Sequence, residues 1–116
     1  MGEEAVTMKR VYIAGPYTKG DVAENVNRAI RAANLLMDAG AYPYVPHLSH
    51  FWHLVYQRPY EDWLALDMAY LECAAAVFRI AGESHGADKE VEWAEAHGVP
   101  VFTEMWRVDE WLKIGD

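Results

Sequence analysis

The chain has 116 residues, a net charge of −8 and a single cysteine. That length holds one domain with one core. Its scattered Lys and Arg, outnumbered by Asp and Glu, argue against a nucleic-acid backbone or an anionic membrane as partner. No apolar run approaches the roughly 18 residues that span a bilayer, and no charged-then-apolar leader precedes a cleavage site. Cys73 stands alone, which excludes an internal disulfide and fits a reducing, cytoplasmic compartment; its apolar neighbours make it a packing residue.

Residues 1–8 read as a loose leader, and residues 9–116 as the single domain. In chain order, residues 11–14 form a short apolar strand that enters a sharp loop at residues 15–20. A helix follows, opened by the capping pair Asp21 and Glu24 and closed by Gly40, with Val22, Val26, Ile30, Ala33 and Met37 facing inward. Residues 42–45 are a second strand ending at Pro46; residues 47–59 are aromatic and irregular; a helix from Pro59 carries Asp67. A third strand covers residues 75–80, a loop residues 81–86, and a helix residues 87–97, stopped by Gly98. Residues 99–103 are a fourth strand and residues 108–114 a last short helix.

Strands alternating with helices imply parallel pairing through right-handed crossovers. The fold class is therefore α/β: a doubly wound, flavodoxin- or Rossmann-like parallel sheet of about four to five strands in the order 2-1-3-4. Ligands of such sheets bind beyond the carboxyl ends of the strands, where the strand order reverses. Here that crevice falls between strands one and three, walled by the loops at residues 15–19 and 81–86.

Two carboxylates break the apolar pattern of their helices. On the helix from Ala87 the inward stripe is Ala87, Glu90, Val91 and Ala94, while Lys89, Glu92 and Glu95 fall outside it. Read this way, Glu90 lies in the first turn, where free N–H groups and the helix dipole favour an ionised carboxylate. On the helix from Pro59 the stripe is Tyr60, Trp63, Leu64, Asp67, Met68 and Leu71. An unpaired charge at Asp67 would be costly, so it pairs with Arg79, caps a loop or lines a wet cavity. Each alone has a plain structural explanation, but two such groups in one small chain point to a site.

Phosphate motifs do not account for that site. Gly15 and Gly20 have P-loop spacing, but Asp21 and Val22 occupy the places of its Lys and Ser/Thr, and no G-x-G-x-x-G occurs. Ser84, His85 and Gly86 offer backbone N–H groups to an anion at a helix start. His47, His50 and His53 are spaced by three, yet no cysteine or acidic ligand lies close by to complete a metal set. His47, His50, Phe51 and Trp52 read better as a lid whose rings stack on a flat ligand. Neither a metal nor a cofactor is called for.

The run VYIAGPYT, then Asp67 ahead of a small-residue strand, then SHGADKEVEWAEAHGVPVF, resembles the nucleoside 2-deoxyribosyltransferase-like superfamily over residues 9–103, and within it the small uncharacterised branch. The resemblance implies that residues 9–116 form one such domain. Glu90 then matches the nucleophile that attacks the anomeric carbon, and Asp67 the aspartate that assists the base or holds the sugar. Tyr12 and Gly15 match a first-strand Y-x-x-G whose tyrosine lies near the nucleophile. Ser84 and Gly86 match the S-x-G that receives a 5′-phosphate in the monophosphate glycosidases. There are departures: Arg79 stands where transferases have an acidic residue, Pro16, Tyr17 and Thr18 replace small or basic phosphate-gripping residues, and Ala75 replaces an aspartate.

The implied activity is hydrolysis or transfer at the N-glycosidic bond of a nucleoside or nucleoside 5′-monophosphate. Catalysis falls to Glu90, Asp67 and Tyr12, and binding to Gly15, Pro16, Tyr17, His47, Trp52, Arg79, Ser84 and Gly86. Glu90 would stay ionised as the nucleophile, and Asp67, in a more apolar setting, would donate a proton to the leaving base. The alternative is a non-catalytic nucleotide-binding or sensing domain that uses the same crevice. The partner is a small molecule rather than a polymer. Five Trp and seven Tyr exceed what so small a core buries, so a homo-oligomer contact is expected around residues 47–60 and Trp106 and Trp111.

Overall fold

The computed structural model describes residues 9–114, and the leader expected over residues 1–8 lies outside them. Alternation along β1 (Arg10–Ala14) divides the apolar residues between two faces. Val11 and Ile13 enter one core cluster, Tyr12 and Ala14 the other. The elements that follow are α1 (Val22–Asp38), β2 (Tyr42–Tyr44), a short 3-10 turn (Pro46–Leu48), α2 (Ser49–Val55), α3 (Tyr60–Leu71), β3 (Ala76–Arg79), α4 (His85–Ala96), β4 (Val101–Phe102) and α5 (Met105–Lys113).

The four strands form one parallel sheet in the order β2-β1-β3-β4, the doubly wound arrangement expected from the alternation of elements. Helices cover both faces. On one, Ala29, Ala32, Ala33 and Leu36 of α1 and Val108 of α5 pack on Val11, Ile13, Ala76, Phe78 and Ile80. On the other, Leu71 at the end of α3 and Ala87 and Ala94 of α4 pack on Tyr12, Ala14 and Val77. This second face carries the two carboxylates.

The cap expected for α1 is present, with Asp21 Oδ1 accepting from the Glu24 N–H at 3.1 Å. Its inward row differs from expectation. Val26 is buried, but Ile30 is 37% and Met37 62% exposed, and Ala29, Ala32 and Leu36 take the inner positions. The alanines let the helix backbone approach the sheet closely, which turns the larger Ile30 and Met37 outward. Residues 47–59 are also more regular than expected. Pro46 opens the 3-10 turn, where its missing N–H costs nothing, and α2 follows directly.

The stripe on α3 buries only Leu71, while Tyr60, Leu64 and Met68 lie exposed. Cys73, expected in the core, is exposed in the turn beyond α3, its Sγ 3.6 Å from the Ala69 carbonyl. It sits past the last buried turn of the helix and before β3 begins, so neither element carries it inward. Among the described residues no helix is long and apolar enough to cross a membrane.

Candidate active site

Tyr12 is fully buried at the middle of β1, on the face covered by α3 and α4. Its hydroxyl donates to Glu90 Oε2 at 2.5 Å, joining residues 78 positions apart. The parallel register sets Tyr44 of β2 beside Tyr12, with ring centroids 5.6 Å apart. The Tyr44 hydroxyl donates to Asp67 Oδ1 at 3.3 Å. Tyr70, one turn beyond Asp67 on α3, stacks on Tyr44 at 4.5 Å with the planes within 5°. Two carboxylates from two helices are thus each held by a phenol from the sheet.

Tyr44 and Tyr70 are the site residues that sequence reasoning missed. The signal was the alternation Tyr42-Pro43-Tyr44, which puts one tyrosine of β2 on the same face as Tyr12 once the register is known.

Burial dominates the electrostatics. It raises Glu90 from 4.5 to about 7, helped by the charge of Asp67 and opposed by the Tyr12 hydrogen bond and by Arg79. It raises Asp67 from 3.8 to about 6 against the Tyr44 hydrogen bond. Burial, then the charges of Glu90 and Asp67, drive the Tyr12 phenol far above its usual range, so it remains a proton donor. Tyr44 moves the same way, through burial and then Asp67.

This corrects the expected position of Glu90 on its helix. Helix α4 begins at His85, two residues before Ala87, so Asp88 occupies the first turn and Glu90 the second. The helix start is too far along the chain to offset desolvation, because the dipole acts within the first turn. The stripe itself is as expected: Ala87 and Ala94 are buried, Glu90 and Val91 half-buried, and Glu92 exposed.

Arg79 does not pair with Asp67. Its guanidinium donates to the carbonyls of Ile80 and Gly82 and forms an ion pair with Asp88 at 2.9 Å. The fork is consumed by two carbonyls of the loop that follows β3 and by Asp88 of α4, three acceptors within reach of one planar group. Ser84 is the N-cap of α4, its Oγ accepting from the Ala87 N–H at 3.1 Å, and Gly86 lies exposed beside it in the first turn.

The two loops expected to wall the crevice touch each other. Gly15 lies so close to Ile80 that an added Cβ would sit 3.0 Å from the Ile80 Cβ. Gly82, at φ +124, has Pro16 Cγ 2.8 Å from where its Cβ would be. Arg28 donates to the Ala81 carbonyl at 2.7 Å, and Lys19 pairs with Glu83 at 3.5 Å. Glu90 and Asp67 lie on the α3 and α4 side of this closed seam. A cavity of about 400 Å³ adjoins the tyrosine stack, lined by Tyr12, Tyr42, Tyr44, Tyr70, Arg10 and Cys73 among others, but it opens towards the start of the strands and neither carboxylate lines it.

The aromatic lid does not form as expected. His47 is buried, and its Nε2–H donates to the Pro16 carbonyl at 3.0 Å, so its ring holds the loop and offers no face to a ligand. Tyr17 is half-buried and its hydroxyl shares a 3.0 Å hydrogen bond with His50 Nδ1. Trp52 is 51% exposed and packs edge-to-face on Trp63 of α3. His53 Nδ1 accepts from Trp63 Nε1 at 3.0 Å. The three histidines therefore serve three different partners. Among the described residues no three His, Cys, Asp or Glu side chains are grouped to hold a metal ion.

A buried phenol donating to a carboxylate, with a second carboxylate close enough to raise the first, suits chemistry in which one group bears negative charge and the other supplies a proton. The fold is similar to that of a solved 2-deoxyribosyltransferase from the psychrotolerant bacterium Bacillus psychrosaccharolyticus, an enzyme described as a suitable biocatalyst for nucleoside synthesis. The two share 21% identity and a TM-score of 0.63, over 82% of this chain and 74% of that one. No curated protein matches the chain. With residues 9–104 matched, the chain belongs to the family described as a domain of unknown function, DUF7768.

Proposed function

We propose that this protein is a member of the nucleoside 2-deoxyribosyltransferase-like superfamily and cleaves or transfers the N-glycosidic bond of a nucleoside or nucleoside 5′-monophosphate, with Glu90 as nucleophile. The observation that carries the reading is the Tyr12–Glu90 hydrogen bond of 2.5 Å beside the Tyr44–Asp67 pair. The likeness of fold to a 2-deoxyribosyltransferase supports the same substrate class.

In the first step a Glu90 carboxylate oxygen bonds to the anomeric carbon as the C–N bond breaks. The bonding pair leaves with the base nitrogen, which takes a proton from the protonated form of Asp67. The sugar centre carries positive charge in the transition state, and the Glu90 carboxylate stabilises it before trapping it. Tyr12 orients the carboxylate and leaves its second oxygen free for attack. In the second step water, or the nitrogen of another base, displaces Glu90 from the anomeric carbon and returns a proton to Asp67. Water gives hydrolysis and a second base gives transfer.

The test is incubation with a panel of nucleosides and 5′-monophosphates, alone and with a second free base, followed by chromatography for released or exchanged base. Release that disappears in Glu90→Gln supports the reading. Tight binding with no release from any substrate assigns the site a binding role instead.

A further inference from the structure

Helices α1 and α5 cover the same face of the sheet, α1 chiefly over β1 and β2 and α5 over β4, so the end of β3 runs between them. A groove of about 400 Å³ lies there, beyond the carboxyl ends of β3 and β4, the side on which doubly wound sheets take their ligands. The sheet separates it from Glu90 and Asp67, which belong to the α3 and α4 face.

The groove has an apolar floor and one cationic wall. Strand alternation gives Phe78 and Ile80 to this face, and Leu35 of α1 and Met105 of α5 line the groove above them. Arg28, Arg31 and Leu35 follow one another along α1 at helical spacing, which sets both arginines on the flank that borders the groove. Arg28 is anchored, donating to the Ala81 carbonyl at 2.7 Å through one terminal nitrogen and keeping its other N–H groups for a ligand. Arg31 meets only Glu24 among the described residues, at 3.5 Å with both side chains more than half exposed, a pair that a ligand can displace at little cost. Arg79 also borders the groove, but its guanidinium is spent on Ile80, Gly82 and Asp88. Thr103 adds a hydroxyl at the end of β4.

The chain as a whole repels anions, with 18 Asp and Glu against 10 Lys and Arg. Two arginines one turn apart over buried apolar side chains are a local exception to that field. We propose that this groove is a second ligand site, which takes a phosphate monoester carried on a small apolar or aromatic body. Two positive charges match a dianion, and the guanidinium forks match phosphate oxygens. Phe78, Ile80, Leu35 and Met105 cover the body, a part that bare phosphate lacks, while a neutral ring lacks the head. The site stands on residues that the reaction proposed for Glu90 does not use, and either can fail without the other.

The experiment is an NMR titration of the nitrogen-15-labelled full chain with phenyl phosphate, inorganic phosphate and phenol. Phenyl phosphate should give saturable amide shifts on α1, residues 78–81 and residues 103–105. Inorganic phosphate should bind about tenfold more weakly for want of the ring, and phenol should not saturate. Arg31→Gln should weaken phenyl phosphate by about tenfold, and Leu35→Asn by about threefold. Both positions are exposed, so these variants should fold as the wild type does.

Four results would overturn the proposal. Phenyl phosphate that never saturates shows no site. Equal affinity in wild type and Arg31→Gln removes the cationic wall, and inorganic phosphate binding as tightly as phenyl phosphate removes the floor. Shifts confined to residues 84–90, and lost in Ser84→Ala, put the anion at the start of α4 instead. If the groove signals move on dilution of the protein alone and no probe displaces them, the occupant is a second copy of the chain, and the ligand site is excluded.

Discussion

Helices α4 and α3 each set one carboxylate into an apolar stripe, yet the two stripes meet different fates. On α4 the stripe is pressed against the sheet, with Ala87 and Ala94 buried and Glu90 tied to Tyr12. On α3 only the last residue, Leu71, reaches the core, and Asp67 is covered chiefly by Tyr44 while Tyr60, Leu64 and Met68 face outward. The comparison teaches that an apolar stripe tells which face seeks cover, and that small residues decide which face gets it. The alanines of α4 let its backbone close on β1 and β3. On α3 the large Tyr60, Leu64 and Met68 stay exposed, as do Phe51, Trp52 and Leu54 of α2.

The largest expected effect separates two carboxylates of α4 itself. Glu90 and Glu92 point about 200° apart on the helix, and Glu92 is exposed. Glu90→Gln should reduce turnover on the order of 10³-fold or more with the fold intact, because the amide cannot carry the charge needed in the transition state. Glu92→Gln should change activity by no more than about twofold. Steady-state kinetics on one cleaved substrate make the comparison, and equal, small losses would remove Glu90 from the mechanism.

The same contrast between α4 and α3 sets the pH dependence. The proposed reaction needs Glu90 ionised and Asp67 protonated. Because Glu90, at about 7, holds its proton above Asp67, at about 6, this is the minor one-proton form of the pair. Activity should fall below about 6 as both become protonated and above about 7 as both ionise. A narrow bell between these values is expected, and Asp67→Asn should flatten its alkaline limb. Stability carries its own sign. Both groups titrate in the fold above their ordinary values of 4.5 and 3.8, so the folded state is favoured where they are protonated. That advantage is complete below those ordinary values and is lost as pH rises through about 6 and about 7. Thermal unfolding should therefore begin at lower temperature at pH 8 than at pH 5, with a smaller difference in Glu90→Gln.

Much of this was legible in the sequence, for reasons that differ by residue. The order of strands and helices follows from punctuation, such as Asp21 before α1 and Gly98 after α4, together with the handedness of crossovers. Glu90's inward position follows from spacing with Ala87 and Ala94. What escaped reading depends on partners far along the chain. Tyr44 becomes visible only when its register with Tyr12 is known, and Arg79 finds Asp88 in place of Asp67 because the loop after β3 folds back over it. The lid failed because His47, an amphipathic ring, had a backbone carbonyl to satisfy and so turned inward. On α1 the 3.6-residue period held, but alanine size, which a pattern of apolar letters ignores, set the rotation.

Stability should reproduce the contrast on α3 alone. Leu71→Ala removes a fully buried side chain and should cost about 2–5 kcal/mol in denaturant unfolding. Leu64→Ala, at a position 45% exposed, should cost less than about 1 kcal/mol in the isolated chain. If a second copy covers the α2 and α3 surface, Leu64→Glu should lower the sedimentation coefficient at micromolar concentration while leaving the unfolding of the monomer nearly unchanged. A wild type that sediments strictly as a monomer would leave the exposed stripe without that explanation.

The smallest effect concerns how the two helices begin. Helix α4 opens on Ser84, whose hydroxyl accepts the Ala87 N–H, whereas α3 opens at Pro59 with no side-chain cap. Ser84→Ala should cost about 1 kcal/mol of stability, while Tyr60→Ala at the start of α3 should stay within about 0.5 kcal/mol. Under the proposed function Ser84 would also receive a 5′-phosphate, and activity distinguishes the two roles. A hydroxyl occupied as a cap predicts that Ser84→Ala lowers kcat/KM for a nucleoside and its 5′-monophosphate by the same factor. A hydroxyl that also binds phosphate predicts a loss confined to the monophosphate, restored by Ser84→Thr. Because Ser84→Thr keeps both the cap and the hydroxyl, selectivity decides: an equal loss for both substrates in Ser84→Ala, repaired by Thr, excludes the phosphate role and leaves Ser84 to the helix.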